Sequence, residues 1–463
     1  MRLTLPEPYI PEKGGFTSEN DIFRYREFGE RLVNLVSNIN EPLTIALDGP
    51  WGSGKSVFIK QWAGLIRERG GNVVYFDAFE NDFHEDAFSA LSSQIYSLAQ
   101  EKLDKKSKTT KVFLDMAKKV SKAFAPMGLR VAMHAGSFGL LSSEYVKAGE
   151  EAIKSIIKEL GNETEKIFEN TISEKLQKAK EERALLEDFR KSLEDVSQAI
   201  TKKEQTEDHR VLPLIFIVDD LDRCRPPFAI EVIERIKHLF SVEKICFVLV
   251  TNLTHLESSI RGAYGTELDA HIYLEKFYQL KIVLPEPDFE VQNQRDRYLM
   301  HLRNNLQLKF GGEQPLEVVF EEINYLANAH ALTLRQIEHV MRNVVLLAAS
   351  SIEKQTPNLP VTAGLCIMRQ THPKLYALAR ENNLPWKKVE EFLKIDKNNH
   401  RNIDIINGWR YLADPDAPEQ VTKQFTLWWD RSFLRLNLPQ HRHLLQRAFT
   451  NDIDSLLGSQ VHE

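Results

Sequence analysis

The glycine-rich segment at residues 49–56, GPWGSGKS, constrains the fold of this chain more than any other part of its sequence. It matches the pattern G-x-x-x-x-G-K-[ST] and lies between an apolar run at 43–47, which predicts a buried strand, and a helical pattern at about 56–69. Glycines in such a turn let backbone N–H groups face phosphate oxygens, and the helix N-terminus adds partial positive charge. A chance glycine turn is the alternative, which the strand–turn–helix context disfavours. The predicted phosphate-binding residues are Gly49, Pro50, Trp51, Gly52, Ser53, Gly54, Lys55, Ser56 and Val57.

Strand and helix patterns on both sides of this loop predict an α/β fold. A second apolar run at 72–76 completes a strand–helix–strand unit, which implies a parallel sheet. The pattern resumes with strands at 214–218, 244–251 and 280–284, separated by helices at about 228–240 and 253–264. Unbroken apolar strands are typical of a sheet with helices on both faces. We therefore predict a P-loop NTPase-type parallel sheet with a helical insertion and C-terminal helical domains.

The remaining patterns predict how the chain is divided. Residues 1–40 form an N-terminal arm and helix, and 41–290 form the core, interrupted by a helical insertion at 101–210. Residues 291–357 form a helical lid and 358–463 a C-terminal helical domain. Apolar residues at alternating three- and four-residue steps within 186–200 predict a seam that packs in a helical hairpin with residues 153–160.

An apolar strand that ends in two acids, LIFIVDD at 214–220, predicts the metal and catalytic carboxylates. We expect Asp219 and the hydroxyl of Ser56 to ligate Mg²⁺, and Asp220 to orient or deprotonate the attacking water. The alternative is a solvated acidic turn. Lys55 is expected to contribute to catalysis through its charge. Arg223 either acts as an arginine finger supplied in trans or pairs with Asp222 inside its own loop.

Two further polar residues are candidates for the nucleotide's terminal phosphate. Asn252 follows the strand at 244–251 and could reach the γ-phosphate or the water, or it could cap the next helix. Arg335 lies on a helical pattern, LTLRQIEHVMRN, at 332–343. It could report on the γ-phosphate across a cleft, or it could be a solvated arginine.

Several segments together resemble the KAP family of P-loop NTPases. They are GPWGSGKS at 49–56 with Trp51, IVDDLDRCRPP at 217–227, FDAFEND at 76–82 and YLEKFYQLKIVLPEP at 273–287, with a less close fit at 332–343. The resemblance covers about residues 20–350. It implies ATP binding and hydrolysis, a core related to STAND-type switches, and a helical unit behind the core. Many members carry transmembrane hairpins in the insertion, and bacterial members are associated with defence against phage. This chain has Asp77-Ala78-Phe79 where N-A-W is usual, and its insertion lacks clear membrane spans.

Charge and composition limit the partners. The chain has sixty basic and sixty-six acidic residues and thus a net charge of −6, so its overall charge does not favour binding of nucleic acid. No sequence pattern indicates side chains that would recognise bases. Three widely spaced cysteines, without a zinc spacing, indicate a reducing compartment. We find no apolar signal segment and no uncharged run long enough to span a bilayer. Eight lysines at 102–122, next to a nearly uncharged stretch at 123–141, leave peripheral membrane binding as an alternative to a buried hairpin.

These observations predict a cytoplasmic, Mg²⁺-dependent ATPase that acts as a nucleotide-driven conformational switch or assembly motor. The resemblance further implies the ATPase component of a bacterial antiphage system, which self-associates and acts on a protein effector encoded nearby. One alternative is a membrane-associated nucleotide-binding scaffold with little turnover. Another is a small-molecule kinase, which would need an acceptor pocket for which the sequence shows no motif.

Overall fold

The computed structural model describes residues 8–39, 41–84, 86–103, 107–124, 162–203, 212–285, 293–306, 316–350, 359–395, 403–414 and 416–421, together with a few positions between 446 and 457. The chain divides into two compact units. One is an α/β unit made of Tyr9–Pro50 and Lys55–Pro285. The other is helical and contains Glu286–Glu463, grouped with Met1–Pro8 and Trp51–Gly54.

The α/β unit is built on a five-stranded sheet in which all described pairings are parallel, as the sequence predicted. Each predicted strand is present, with its ends shifted by at most one residue. The strand order is β2-β3-β4-β1-β5, so β4 lies between the strand that enters the glycine-rich loop and the strand that ends in two acids. The carboxyl ends of all five strands therefore meet at one edge, where ligands bind in open α/β sheets. The strands are β1 (Leu43–Asp48), β2 (Val73–Asp77), β3 (Leu214–Asp219), β4 (Ile245–Thr251) and β5 (Leu280–Val283).

Helices cover both faces of this sheet, which explains the unbroken apolar runs. The central strands β3 and β4 are buried along their whole length. One face packs against α1 and α2 around the buried ring of Trp62. The other face packs against the remaining helices, with Phe216 and Phe247 stacked at a ring distance of 5.0 Å. The helices of this unit are α1 (Arg26–Asn38), α2 (Lys55–Glu68), α3 (Ala87–Lys102), α4 (Lys108–Phe124), α5 (Asn162–Lys203), α6 (Pro226–Arg235), α7 (Leu253–Tyr264) and α8 (Ala270–Glu275).

Helix ends follow local chemistry that the periodicity alone did not locate. The first helix begins at Arg26, just after Arg24, whose φ of +57° is not helical, and the Asp21 carboxylate accepts from the backbone N–H groups of Tyr25 and Arg26 at 2.7 and 3.1 Å. Helix α6 begins at Pro226, two residues before the expected start, because proline is well suited to the first helical position. It continues as a single π-helical stretch, Ile236–Phe240.

The seam of the predicted insertion is part of the core of the α/β unit. Phe189 on α5 is fully buried and contacts Phe88 on α3 at 5.1 Å, Phe240 at 5.5 Å and Phe113 on α4 at 5.8 Å between ring centroids. Helix α4 and the second half of α5 are therefore built into the body of the unit. The expected hairpin partners Ile153, Ile156, Ile157 and Leu160, and the stretch 125–141, lie outside the described residues.

Both predicted C-terminal regions, 291–357 and 358–463, fall within the one helical unit. Its core contains Trp409, whose ring is buried and whose Nε1 donates to Glu322 Oε1 at 3.2 Å. Over the described ranges, no helix has the length and apolar character needed to cross a membrane. The helices of this unit are α9 (Asn293–Leu306), α10 (Leu316–Ala329), α11 (Leu334–Ser350), α12 (Leu359–Thr371), α13 (Pro373–Arg380), α14 (Trp386–Leu393) and α15 (Ile403–Ala413).

Candidate functional site

The glycine-rich loop connects β1 to α2, as the sequence predicted. Gly52 and Gly54 have φ of +77° and +90°, a backbone conformation that residues with a Cβ rarely adopt. Helix α2 starts at Lys55, whose side chain is folded back onto the loop and donates from Nζ to the carbonyl oxygens of Gly49 at 2.6 Å and Pro50 at 3.0 Å. Phosphate oxygens carry charge and are stronger acceptors than these carbonyls, so the lysine is poised to exchange partners.

Lys55 is mostly buried, and this burial lowers the pKa of its ammonium group, while the nearby charges of Asp222 and Asp219 act in the opposite direction. Desolvation disfavours the charged ammonium, and an anion that binds next to it relieves part of that cost. The charge of Lys55 therefore favours an anionic ligand at its side chain.

Residues 51–54 of the glycine-rich loop belong to the helical unit. Within that unit, Gly52 lies beside the start of α11. A Cβ atom added to Gly52 would lie 2.5 Å from the Cβ atom of Arg335, so both the positive φ and the close approach require glycine. A Cβ atom added to Gly54 would lie 3.6 Å from Leu334 Cδ1, which is an ordinary van der Waals distance. The structure thus places Arg335 beside Gly52; its contact with a phosphate stays a prediction.

Asp219, the last residue of β3, is 1% exposed and accepts three hydrogen bonds. Its Oδ1 accepts from Ser56 Oγ at 3.3 Å and from the backbone N–H of Asp220 at 2.8 Å, while its Oδ2 accepts from the phenol of Tyr75 at 2.6 Å. The structure therefore brings the two predicted metal ligands, Ser56 and Asp219, together. A carboxylate beside a hydroxyl at the start of the helix that follows the glycine-rich loop is a set of hard oxygen donors, which fits Mg²⁺.

Asp220 sits in an unusual conformation next to this pair. Its φ of +55° and ψ of +30° place it in the left-handed region, which is uncommon for residues other than glycine and tends to occur at functional sites. Burial and the charge of Asp219 raise the pKa of its carboxyl group from 3.8 to about 6, and the guanidinium of Arg223 partly opposes this shift. A carboxyl group that titrates close to neutrality suits a general base.

Arg223 pairs within its own loop. Its Nη2 lies 3.0 Å from Asp220 Oδ1, so the acidic partner seen in the structure is Asp220, rather than the Asp222 partner that the sequence suggested. The next arginine, Arg225, is held by Asp82, which accepts from the backbone N–H of Arg225 at 2.6 Å and also pairs with its side chain. This second pair ties the loop after β3 to the loop after β2.

Asn252 caps helix α7, as one of the two sequence interpretations expected. Its Oδ1 accepts from the backbone N–H of His255 at 3.4 Å. The neighbouring Leu253 N–H donates to Asp48 Oδ1 at 2.9 Å, and Lys281 pairs with Asp48 Oδ2 at 2.9 Å. Asp48 thus connects the ends of β1, β4 and β5 immediately before the phosphate loop. A contact between Asn252 and a phosphate stays a prediction.

Tyr75 and Asp48 were not among the residues that the sequence predicted for the site. Asp48 was visible as the last strand residue before the loop, but its partners become apparent only when the order of β1, β4 and β5 is known. Tyr75 precedes Asp77 by two residues, and strand alternation therefore puts both on one face. Its contact with Asp219 depends on the register between β2 and β3, for which the sequence carries no signal.

The comparisons agree with this geometry. The model of the KAP family P-loop domain matches residues 25–350, which is more than half of the chain and includes the loop, the acidic strand end and the start of the helical unit. A search of curated proteins finds no match to the chain. The family match, the parallel sheet with β4 between the loop strand and the acidic strand, and the Ser56–Asp219 pair agree with one another. The chain belongs to the KAP family of P-loop NTPases.

Proposed function

We propose that this protein binds ATP with Mg²⁺ at the loop of residues 49–56, hydrolyses the γ-phosphate bond, and uses the cycle as a conformational switch. The observation that carries the proposal is the cluster at the carboxyl edge of the sheet. There, Ser56 at the start of α2 contacts Asp219 at the end of β3, and Asp220 follows directly. This cluster supplies separate groups for phosphate binding, for metal binding and for water activation.

Each group of the cluster has a distinct chemical task. Lys55 and the N-terminus of α2 bind phosphate oxygens. Ser56 and Asp219 would hold the metal, and Mg²⁺ supplies neutralisation of the phosphate charge when it is bound. Asp220 orients a water molecule and accepts its proton, for which its carboxyl group must be ionised. Because the pKa of that group is about 6, hydrolysis is expected to increase as the pH rises through this value.

The roles of Arg223, Asn252 and Arg335 are part of the proposal. Arg223 is drawn from Asp220 to the γ-phosphate of the same chain or of a neighbouring copy, and the trans arrangement makes activity per chain depend on concentration. Mixing Arg223→Ala chains with Asp220→Asn chains restores turnover only in the trans case. Asn252 and Arg335 are proposed to contact the γ-phosphate; support comes from the position of Asn252 after β4 and of Arg335 beside Gly52.

The nucleotide-binding part is tested with Lys55→Ala, measured by ATP affinity and by thermal unfolding. We expect the affinity to be lost while the unfolding temperature is retained, because the contacts of Lys55 Nζ are to loop carbonyls rather than to the core. Lys118→Ala on α4 is the matched control and should bind normally. Unchanged affinity in Lys55→Ala would refute the assignment of the loop.

The hydrolytic part is tested with Asp220→Asn, which keeps the shape of the side chain and removes the basic oxygen. ATP binding should survive, and turnover should fall by about 100-fold or more, which is typical of a lost general base. Near-normal turnover in this variant would indicate that another acidic residue activates the water. If the wild-type protein binds ATP but does not hydrolyse it, the alternative of a nucleotide-binding scaffold is favoured. Transfer of phosphate to a small acceptor would instead favour a kinase.

The cellular role follows from the family and is also a proposal. We propose a cytoplasmic ATPase component of a bacterial antiphage system that assembles with itself and with an effector encoded nearby. The proposal is supported by membership in the family and by the absence of membrane-spanning helices among the described residues. Cell fractionation and liposome flotation test it. Recovery in a membrane fraction that resists high salt would contradict it, whereas recovery reversed by salt would indicate peripheral attachment through lysines.

A further inference from the structure

We propose that Tyr75 is a positioning residue that sets the affinity of the Asp219 site for Mg²⁺. The inference rests on the proposed function, because it assumes that Asp219 and Ser56 hold the metal. It adds a residue from a third element, strand β2, to a site otherwise formed by α2 and the end of β3.

The sheet register brings Tyr75 to Asp219. Residues Asp77 and Asp219 are paired across β2 and β3, and Tyr75 is paired with Ile217. Tyr75 and Asp219 are therefore diagonal neighbours on the same face, a separation that a long aromatic side chain spans. The phenol donates to Asp219 Oδ2 at 2.6 Å, a short and charge-assisted hydrogen bond.

This hydrogen bond gives the two oxygens of the Asp219 carboxylate different partners. Oδ2 is held by the phenol, while Oδ1 faces Ser56 Oγ at 3.3 Å. Rotation of the carboxylate about its Cβ–Cγ bond would break the bond to Tyr75. The tyrosine thus fixes the oxygen that lies next to the other proposed metal ligand.

The donor itself is well fixed. The Tyr75 ring is half-buried in the α/β unit, and the ammonium of Lys60 on α2 lies 5.5 Å from its centroid, which is within the range of a cation–π contact. Hydrogen-bond partners of metal ligands typically change metal affinity by about 10- to 100-fold when they are removed.

Tyr75→Phe tests the inference, since it removes the phenol and keeps the ring. The measurement is binding of a fluorescent ATP analogue, first in EDTA and then during titration with MgCl₂. We expect the Mg²⁺ concentration for half-maximal enhancement of binding to rise by about 10- to 100-fold, while affinity in EDTA stays within about twofold. Tyr264→Phe is the matched control, because it removes a phenol that donates to Glu234 Oε1 at 2.8 Å, and its Mg²⁺ dependence should equal that of the wild type.

A purely structural hydrogen bond would lower the unfolding temperature without changing the Mg²⁺ dependence, and that result would overturn the inference. If Tyr75→Phe does not fold, 4-aminophenylalanine at position 75 keeps a donor on the ring. Normal Mg²⁺ dependence is then expected of that chain, and a rise of about 10-fold or more in the Mg²⁺ concentration for half-maximal enhancement contradicts the inference. In an Asp219→Asn background, Tyr75→Phe should have no further effect on metal dependence; an undiminished effect would also overturn it. Wild-type protein without Mg²⁺-dependent binding would instead refute the proposed function.

Discussion

Replacing Asp220 with asparagine should stabilise the protein at alkaline pH while it abolishes turnover. The carboxyl group is 18% exposed, lies next to Asp219, and has its pKa raised from 3.8 to about 6 even though Arg223 is paired with it. Ionised Asp220 is therefore unfavourable in the folded state. Asparagine has nearly the same shape and accepts the left-handed conformation at φ +55° as well as aspartate does, so backbone strain does not change.

The size of the effect follows from the two pKa values. An acid whose pKa is raised in the folded state binds more protons there than in the unfolded state, so its contribution to stability is lost as pH rises. With values of 3.8 and about 6, the raised pKa of Asp220 costs about 3 kcal/mol at pH 8 and roughly half of that at pH 5. Asp220→Asn is expected to recover most of this cost. Stabilisation by the variant should therefore be about twice as large at pH 8 as at pH 5.

Urea unfolding followed by circular dichroism at both pH values measures this difference, without nucleotide or metal. Asp195→Asn makes the same chemical change at an exposed position of α5 in the same unit and should leave stability unchanged. An Asp220→Asn chain that is no more stable than wild type at pH 8, or that gains more at pH 5, would refute the electrostatic account of this site. Loss of turnover with a gain in stability is the trade-off expected for a functional residue.

Three further outcomes are expected in the α/β unit. In nucleotide-free Arg223→Gln the carboxyl group of Asp220 should titrate at higher pH than in the wild type, measured by NMR, because the guanidinium lowers the pKa of Asp220; an unchanged titration would contradict this interaction. Asp86→Ala should lower the free energy of unfolding by about 1 kcal/mol in urea, because Asp86 caps α3 by accepting from two backbone N–H groups, and no loss would exclude this role for the cap. Phe189→Ala should cost about 3–5 kcal/mol and Lys191→Ala almost nothing, since Phe189 is fully buried; equal effects would show that α5 is not part of the core.

The sequence predicted the sheet well because burial on both faces leaves a direct signal. Residues 214–218 of β3 are apolar at every position, and the strand is buried along its whole length. The packing of α5 was less predictable. Its three- and four-residue spacing showed that Phe189 and its neighbours face something apolar, but many helical surfaces satisfy that spacing. The partners turned out to include Phe88 and Phe240, which are far away in the sequence.

The site residues that the sequence predicted correctly belong to local motifs, and those that it did not predict depend on contacts between distant segments. Lys55, Ser56 and Asp219 belong to local motifs in which the order of residues along the chain determines the geometry, and the structure brings all three to one edge of the sheet. The contacts of Tyr75 depend on register between neighbouring strands, a non-local quantity. The partner of Arg223 depends on the left-handed turn at Asp220, a conformation that the letters DDLDR do not specify.

The two adjacent aspartates show how one strand end can supply different chemistry. Asp219 accepts hydrogen bonds from Ser56, from Tyr75 and from the backbone, so its negative charge is well compensated by donors. Asp220 is turned away by its positive φ and has Arg223 as its ion pair, in a half-buried position next to another carboxylate. Groups of the same type whose environments differ in this way take different roles in acid–base chemistry. The proposed division into a metal ligand and a base therefore follows from the donors around each carboxylate. We therefore expect that the loss of one carboxylate is not compensated by the other, even though they are neighbours in the chain.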